Sequence, residues 1–150
     1  LDKFVVPGDK GRLADVFSNL ISNSIFYNQP HGEVRVEAQS VDNKFLEALA
    51  FKKHGSVGMH DYLRRSLESG SKNFLLVTVS DTGLGIPSSS QPKIFDSFFR
   101  GDNVIKKGIA GTGLGLFIVR AIIERSRGKI FFESEENVGT KFYIVLPTKP

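Results

Sequence analysis

The chain of 150 residues contains no cysteine. A disulfide framework, a thiolate metal site and a thiol nucleophile are therefore excluded. It has three histidines, His31, His54 and His60, and their spacing is not that of metal ligands, so surface or turn roles are expected for each. No apolar run reaches the roughly 18–20 residues of a membrane span, and no signal-peptide pattern opens the chain. Initiator Met is missing at Leu1, so the sequence is expected to be cut from something longer. There is no internal repeat and no low-complexity tract. The formal charge is +4, which suits an anionic ligand. The basic residues are scattered rather than striped, so nucleic acid is not expected as a partner. With 40% hydrophobic and 24% charged residues, the composition is that of one ordinary globular domain, residues 1–150.

What is present is glycine in a pattern. Gly111-Thr112-Gly113-Leu114-Gly115-Leu116 opens directly into the apolar stretch Phe117-Ile118-Val119-Arg120-Ala121-Ile122-Ile123. Each glycine costs a helix interior about 1 kcal/mol relative to Ala, so helix stability does not account for three of them. A glycine turn leading into a helix offers free N–H groups and the positive end of a helix dipole, which suits phosphate. Two familiar phosphate motifs are excluded by spacing. No G-x-x-x-x-G-K-[ST] string exists. G-x-G-x-x-G fails from Gly111, where Leu116 takes the third position, and from Gly113, where Ile118 does.

Upstream, Phe4-Val5-Val6 reads as a strand ended by Pro7-Gly8, and Asp9 is placed to cap a helix. Leu13, Val16, Phe17, Leu20, Ile21 and Ile25 form one helical stripe between Arg12 and Tyr27. Beside it runs Asp15, Asn19, Asn23 and Tyr27 at i, i+4 spacing. Two Asn one turn apart are poor helix formers. They read either as a solvated edge or as amide oxygens aimed at a cation or at phosphate. Glu33 to Ala38 alternates as a half-buried strand. Residues from about 42 to 72 read as two short helices around the loop His54 to Gly58, an insertion packed on the surface. Phe74 to Ser80 reads as a central strand running into Asp81-Thr82-Gly83-Leu84-Gly85-Ile86-Pro87, where Asp81 is either an Asx-turn residue or a ligand contact. Pro92 to Arg100 reads as an aromatic helical turn with its three phenylalanines in the core. Gly101 to Ala110 has the composition of a mobile lid. The apolar helix that follows is expected to be largely buried, with Gly128 as its C-cap. Lys129 to Glu133 and Lys141 to Leu146 form a closing hairpin.

In this order the motifs resemble the catalytic, ATP-binding domain of sensor histidine kinases, within the superfamily shared with the gyrase, Hsp90 and MutL ATPases. Asn19-Leu20-Ile21-Ser22-Asn23 matches its N box and Asp81 to Pro87 its G1 box. Ile94-Phe95-Asp96-Ser97-Phe98-Phe99-Arg100 matches its F box and Gly111 to Leu116 its G2 box. Each box alone is weak, and four in order are specific. The resemblance implies a two-layer α/β sandwich with a mixed sheet, the Bergerat fold. It implies ATP and Mg²⁺ as cofactors, with Asn23 on the metal, Asn19 beside it as the second catalytic residue, and Asp81 accepting from the adenine amino group. Gly83 and Gly85 would pass under the base and Tyr27 would lie against adenine or ribose. Gly111, Thr112, Gly113, Leu114, Gly115 and Leu116 would wrap the phosphates, and Ile86 and Thr140 would complete the pocket. Arg100, Lys106 or Lys107 would neutralise phosphate charge, with no choice among them.

The gyrase-type relatives carry a water-activating Glu where this chain has Asn19, an amide that cannot act as a base. Transfer to another acceptor is therefore favoured over hydrolysis. By resemblance that acceptor is a histidine on a separate helical dimerisation domain of the same polypeptide, with a response regulator downstream. A cytoplasmic location is implied, in a free or membrane-anchored sensor. The isolated domain is expected to be a monomer and the parent a homodimer. A stand-alone ATPase or serine kinase of the same fold, and a nucleotide-binding pseudokinase, are the rival readings. The sequence departs from the family at Phe26, where Lys is frequent, and in the length of the 42–72 segment.

Overall fold

The computed structural model describes residues 5–52, 59–68 and 70–148. Helix α1 spans Lys10–Phe26. Asp9 caps it as expected, its Oδ1 accepting from Arg12 N–H at 2.9 Å. Val16 and Leu20 are fully buried, and Leu13, Phe17 and Ile21 pack against the same core. The stripe closes on Ser24 rather than Ile25. Ser24 is 2% exposed and Ile25 64%, because position 24 continues the 16, 20, 24 row that faces inward.

Four strands follow: β1 (Val34–Asp42), β2 (Asn73–Asp81), β3 (Lys129–Glu135) and β4 (Gly139–Pro147). They lie in the order β1-β2-β4-β3. Every described pairing is antiparallel, where a mixed sheet was expected. Val5 and Val6, read from sequence as strand, are not in one, and Phe4 lies outside the described residues.

The period of two divides the sheet into two cores. Val77, Val79, Phe142, Ile144 and Ile130 face α1 and helix α5 (Gly115–Arg125). Phe74, Leu76, Phe131, Tyr143 and Val145 face the other way. There they meet the two helices anticipated in the 42–72 segment, α2 (Asn43–Lys52) and α3 (Met59–Glu68). Leu46 and Leu63 of these helices are 1% and 2% exposed. Thus the α/β sandwich carries a second helical layer over part of its back. Phe131 and Tyr143 stack there at 4.7 Å between centroids. Tyr62 of α3 donates from its hydroxyl to the Arg127 carbonyl at 3.1 Å, tying the layer to the end of α5. Arg127, at φ 57°, is the left-handed residue of that turn. Gly128 is needed for another reason: a Cβ there would stand 2.7 Å from the Val145 carbonyl oxygen.

The apolar helix is less buried than its composition suggests. Val119, Ile122 and Ile123 face the core, while Phe117 and Ile118 are 41% and 43% exposed. Phe98 of the aromatic turn is 73% exposed, whereas Phe95 and Phe99 pack on the core. The lid segment contains a short helix, α4 (Asp102–Lys106).

Two outcomes follow from the second core. Leu63→Ala should cost about 2–5 kcal/mol in urea unfolding, as for other buried Leu truncations; an inert surface insertion would cost under about 0.5 kcal/mol. Burial pushes the Tyr62 phenol up to about 12. Its folded value lies above its unfolded one, so the stability it brings is complete below the unfolded value of about 10 and is lost as pH rises through 12. Tyr62→Phe should therefore flatten the alkaline limb of the stability–pH curve.

Candidate nucleotide site

The residues singled out in sequence converge between α1, the end of β2 and the start of α5. There a cavity of about 360 Å³ is lined by Asn19, Asn23, Tyr27, Asp81, Gly85, Ile86, Arg100, Gly111, Thr112, Gly113, Gly115, Leu116 and Thr140. That size lies within the range of small-molecule pockets.

Its inner end is apolar with one polar corner. Ile86, Ile94, Leu84 and Phe142 form the apolar walls. Asp81 stands at the C-terminal end of β2, its Oδ1 accepting from Gly83 N–H at 2.9 Å and from Thr140 N–H at 3.3 Å. Burial raises its pKa above the ordinary carboxylate value, and the Gly83 and Thr140 amides and the nearby Ser24 hydroxyl pull it back. Ser24 Oγ is itself buried beside this carboxylate, near enough to act on it electrostatically, but it completes no hydrogen bond of good geometry within the protein. A buried hydroxyl without a partner is costly, so the corner offers an acceptor and a spare polar group to a ligand. Ser24 was missed in sequence, although its 16, 20, 24 spacing was legible.

The outer end is built from backbone and amides. α5 begins at Gly115 with no side-chain cap, which leaves its first N–H groups free for an anion. Gly115 faces the paired Asn: a Cβ there would stand 2.8 Å from Asn19 Oδ1 and 4.0 Å from Asn23 Nδ2. At Gly111 a Cβ would be 3.5 Å from the Tyr27 hydroxyl and 3.8 Å from Arg100 Nε. The Arg100 guanidinium donates to the Ile109 carbonyl, while its Nε is buried without a partner. Asn103 and Val104 of α4 also line the cavity, and Asn103 Nδ2 donates to the Gly85 carbonyl at 3.1 Å. Position alone could not have shown this, since α4 reaches the site only by folding back from Gly101.

Three residues expected at the site do not line the cavity: Gly83, Lys107 and Leu114. Lys106 and Lys107 are exposed, so of the three candidate cations only Arg100 is in the wall. Gly83 and Gly85 serve packing. A Cβ on Gly83 would lie 2.4 Å from the Tyr27 carbonyl oxygen, and one on Gly85 1.9 Å from that of Glu135. These approaches let Leu84 N–H bond Tyr27 O at 2.9 Å and Asn137 N–H bond Leu84 O at 2.7 Å. For a metal, the amide oxygens of Asn19 and Asn23 are hard donors of the kind Mg²⁺ takes together with phosphate oxygens. Among the described residues no group of three or more His, Cys, Asp or Glu could hold an ion.

Gly85→Ala should destabilise the protein by more than about 2 kcal/mol in urea unfolding, since strain at φ 62° adds to the backbone clash. Gly108→Ala is the control. Its φ is also positive, but nothing lies within 4 Å, so only about 1 kcal/mol of conformational cost is expected.

Residues 8–150 match the family model described as histidine kinase-, DNA gyrase B- and HSP90-like ATPase. Histidine kinase 1 of Arabidopsis thaliana is 34% identical over 96% of this chain and 13% of that protein. The hybrid signal transduction histidine kinase D of Dictyostelium discoideum is 32% identical over 95% of this chain and 9% of that protein. The sensor protein kinase WalK of Staphylococcus haemolyticus is 32% identical over 93% and 18%. The chain thus spans less than a fifth of these relatives. Among solved structures, the nucleotide-free catalytic domain of histidine kinase ThkA superposes with a TM-score of 0.62 at 27% identity, covering 97% of this chain and 73% of that one. The mycobacterial sensor histidine kinase MprB gives 0.69 at 24% identity over 97% and 78%, a likeness of fold. The chain is a member of the histidine kinase-, DNA gyrase B- and HSP90-like ATPase family.

Proposed function

We propose that this domain binds ATP with Mg²⁺ and donates the γ-phosphoryl group to a histidine on a separate helical dimerisation domain of its own polypeptide. That histidine in turn supplies a response regulator in the cytoplasm. The observation that carries the proposal is the two-ended cavity. A half-buried carboxylate with the buried Ser24 hydroxyl beside it lies at its apolar end, and paired Asn face an uncapped helix start at the other.

Asp81 accepts from the exocyclic amino group of adenine, and Ile86, Ile94 and Phe142 bury the ring. Tyr27 lies alongside, between base and glycine run. The free N–H groups of α5 and the bare backbone at Gly111, Gly113 and Gly115 take the phosphate oxygens, and the spare Arg100 Nε points toward the same run. Asn23 would hold Mg²⁺, with Asn19 beside it, and the ion would supply neutralisation of phosphate charge. In the transfer an imidazole nitrogen bonds the γ-phosphorus and the bridging β–γ oxygen bond breaks, so ADP leaves with that oxygen. Asn19 is an amide and cannot activate water, so the nucleophile comes with the partner. Phe98, Phe117 and Ile118 offer exposed apolar surface beside the glycine run. The backbone there is continuous, since Phe98 N–H donates to the Gly113 carbonyl at 2.9 Å. A helical partner docked on this rim brings its histidine to the phosphate end.

Titration calorimetry with Mg-ATP tests the site. Asp81→Asn should weaken binding at least roughly a hundredfold, because an adenine donor then meets an amide with donors of its own. The apo protein should lose no stability at pH 7. The folded pKa of Asp81 is raised, so its charge opposes folding above that value, and the neutral amide removes the cost. Any Tm advantage of the variant should narrow as pH falls through the folded pKa. Undiminished binding by Asp81→Asn would reject the assignment. Asn23→Ala should abolish the gain in affinity that Mg²⁺ confers and leave metal-free ATP binding within a few fold. For transfer, Mg-ATP and the parent's helical domain should yield acid-labile phosphate on that domain; rapid phosphate release by the isolated chain instead would favour a hydrolase.

A further inference from the structure

We infer that Asn103 is the latch of a gate over the apolar end of the cavity, and that parting its side-chain amide from the Gly85 carbonyl is the step that admits and releases nucleotide. The inference rests on the nucleotide reading above and adds to it the residue that sets the rate of exchange.

The gate is one piece with its own internal ties. α4 turns once, with Val104 N–H and Ile105 N–H donating to the Gly101 carbonyl at 3.1 Å each. Gly108, at φ 66°, ends it. Its N–H donates to the Ile105 carbonyl at 2.9 Å, and Ile109 N–H donates to the Val104 carbonyl at 3.2 Å, a glycine-ended helix closure. The two ends of the segment are held together where the Arg100 guanidinium meets the Ile109 carbonyl.

Little else fastens this piece to the protein. No residue of α4 is buried, and Ile105 is 53% exposed. Apart from the Arg100 neck, one hydrogen bond among the described residues leads from residues 101–109 to the rest of the chain. In it Asn103 Nδ2 donates to the Gly85 carbonyl at 3.1 Å. A segment with few buried contacts opens at low cost, so this bond is the main tie that keeps α4 closed.

The Asn103 amide is engaged on both sides. Its Oδ1 accepts from Val104 N–H at 3.0 Å while its Nδ2 reaches Gly85. One partner requires an acceptor and the other a donor, which fixes the amide's orientation. Gly101 leaves it room, since a Cβ there would stand 2.9 Å from Asn103 Oδ1. The catch itself is rigid. On either side of Gly85, Leu84 N–H donates to the Tyr27 carbonyl at 2.9 Å and Ile86 N–H to Ser134 Oγ at 2.8 Å. When the latch parts, α4 moves and Gly85 stays. Asn103, Val104, Gly85 and Ile86 all line the cavity, so the opening lies at its apolar wall.

The latch joins protein to protein and is common to the free and the liganded forms. An interaction equal in two states does not shift the balance between them. It adds instead to the barrier in both directions, so its loss speeds entry and exit together.

Stopped-flow fluorescence with Mg²⁺ and the methylanthraniloyl derivative of ATP tests this. Asn103→Ala and Asn103→Asp should each raise the association and dissociation rate constants about three- to tenfold, the worth of one hydrogen bond. Kd should stay within roughly twofold. Asp keeps the side chain's shape and the acceptor for Val104, and an acid is favourable in a first helical turn. What it lacks is the donor to Gly85. Ile105→Ala, exposed and outside the cavity lining, should leave both rates unchanged. In the nucleotide-free chain, ¹⁵N order parameters of residues 102–108 should fall in both Asn103 variants and hold elsewhere. Unchanged rates in both variants overturn the inference. So does a rise in the dissociation rate alone with a matching rise in Kd, which marks a contact to the nucleotide rather than a gate. A wild type that binds no nucleotide rejects the ATP reading instead, and the order parameters then decide the latch by themselves.

Discussion

The half-buried carboxylate of Asp81 is the constraint on which most of the local structure depends. A charge partly withdrawn from water needs donors in fixed places. Two of them are backbone amides from different segments, Gly83 just beyond β2 and Thr140 on β4. To bring these amides in, the chain must pass very near itself. Gly139 runs so close that a Cβ would lie 2.0 Å from the Asp81 carbonyl oxygen. The loop after Asp81 is pressed against the end of α1 on one side and the β3–β4 turn on the other. One carboxylate thus accounts for glycine at 83 and 139, and the loop it anchors accounts for glycine at 85.

The sheet transmits that arrangement outward because its two faces do different work. The face toward α1 and α5 carries the nucleotide pocket at its edge. The opposite face would be an open apolar surface without α2 and α3, since Phe74, Leu76, Tyr143 and Val145 point into it. The Tyr62 hydroxyl on the Arg127 carbonyl fastens the second layer to the far end of α5, the helix whose first residues, Gly115 and Leu116, line the cavity. The α2–α3 layer and the cavity thus lie at opposite ends of one helix.

The order of elements was legible from periodicity and capping. α1 showed its 3.6-residue stripe and its Asp9 cap, the strands alternated or ran apolar, and the four glycine- and Asn-bearing boxes named the family. What stayed hidden has physical reasons. Hydropathy could not tell that Phe117, Ile118 and Phe98 face outward, because apolar side chains at a rim and in a core have the same composition. Ile25 masked Ser24, since the eye follows the apolar residue while the helix follows the angle. A glycine motif does not say what the bare position approaches, and only distances show that Gly83 and Gly85 meet backbone while Gly115 meets the Asn19 side chain. Asn103 reaches the cavity through a fold-back that no local pattern encodes.

Asn19 and Gly115 lie 96 positions apart in the chain and share one small volume, into which a methyl at 115 would press to 2.8 Å of the amide oxygen. A methyl at 115 would therefore displace a side-chain amide and not backbone, and turning the Asn19 amide aside changes which of its atoms α1 presents to the cavity next to the start of α5.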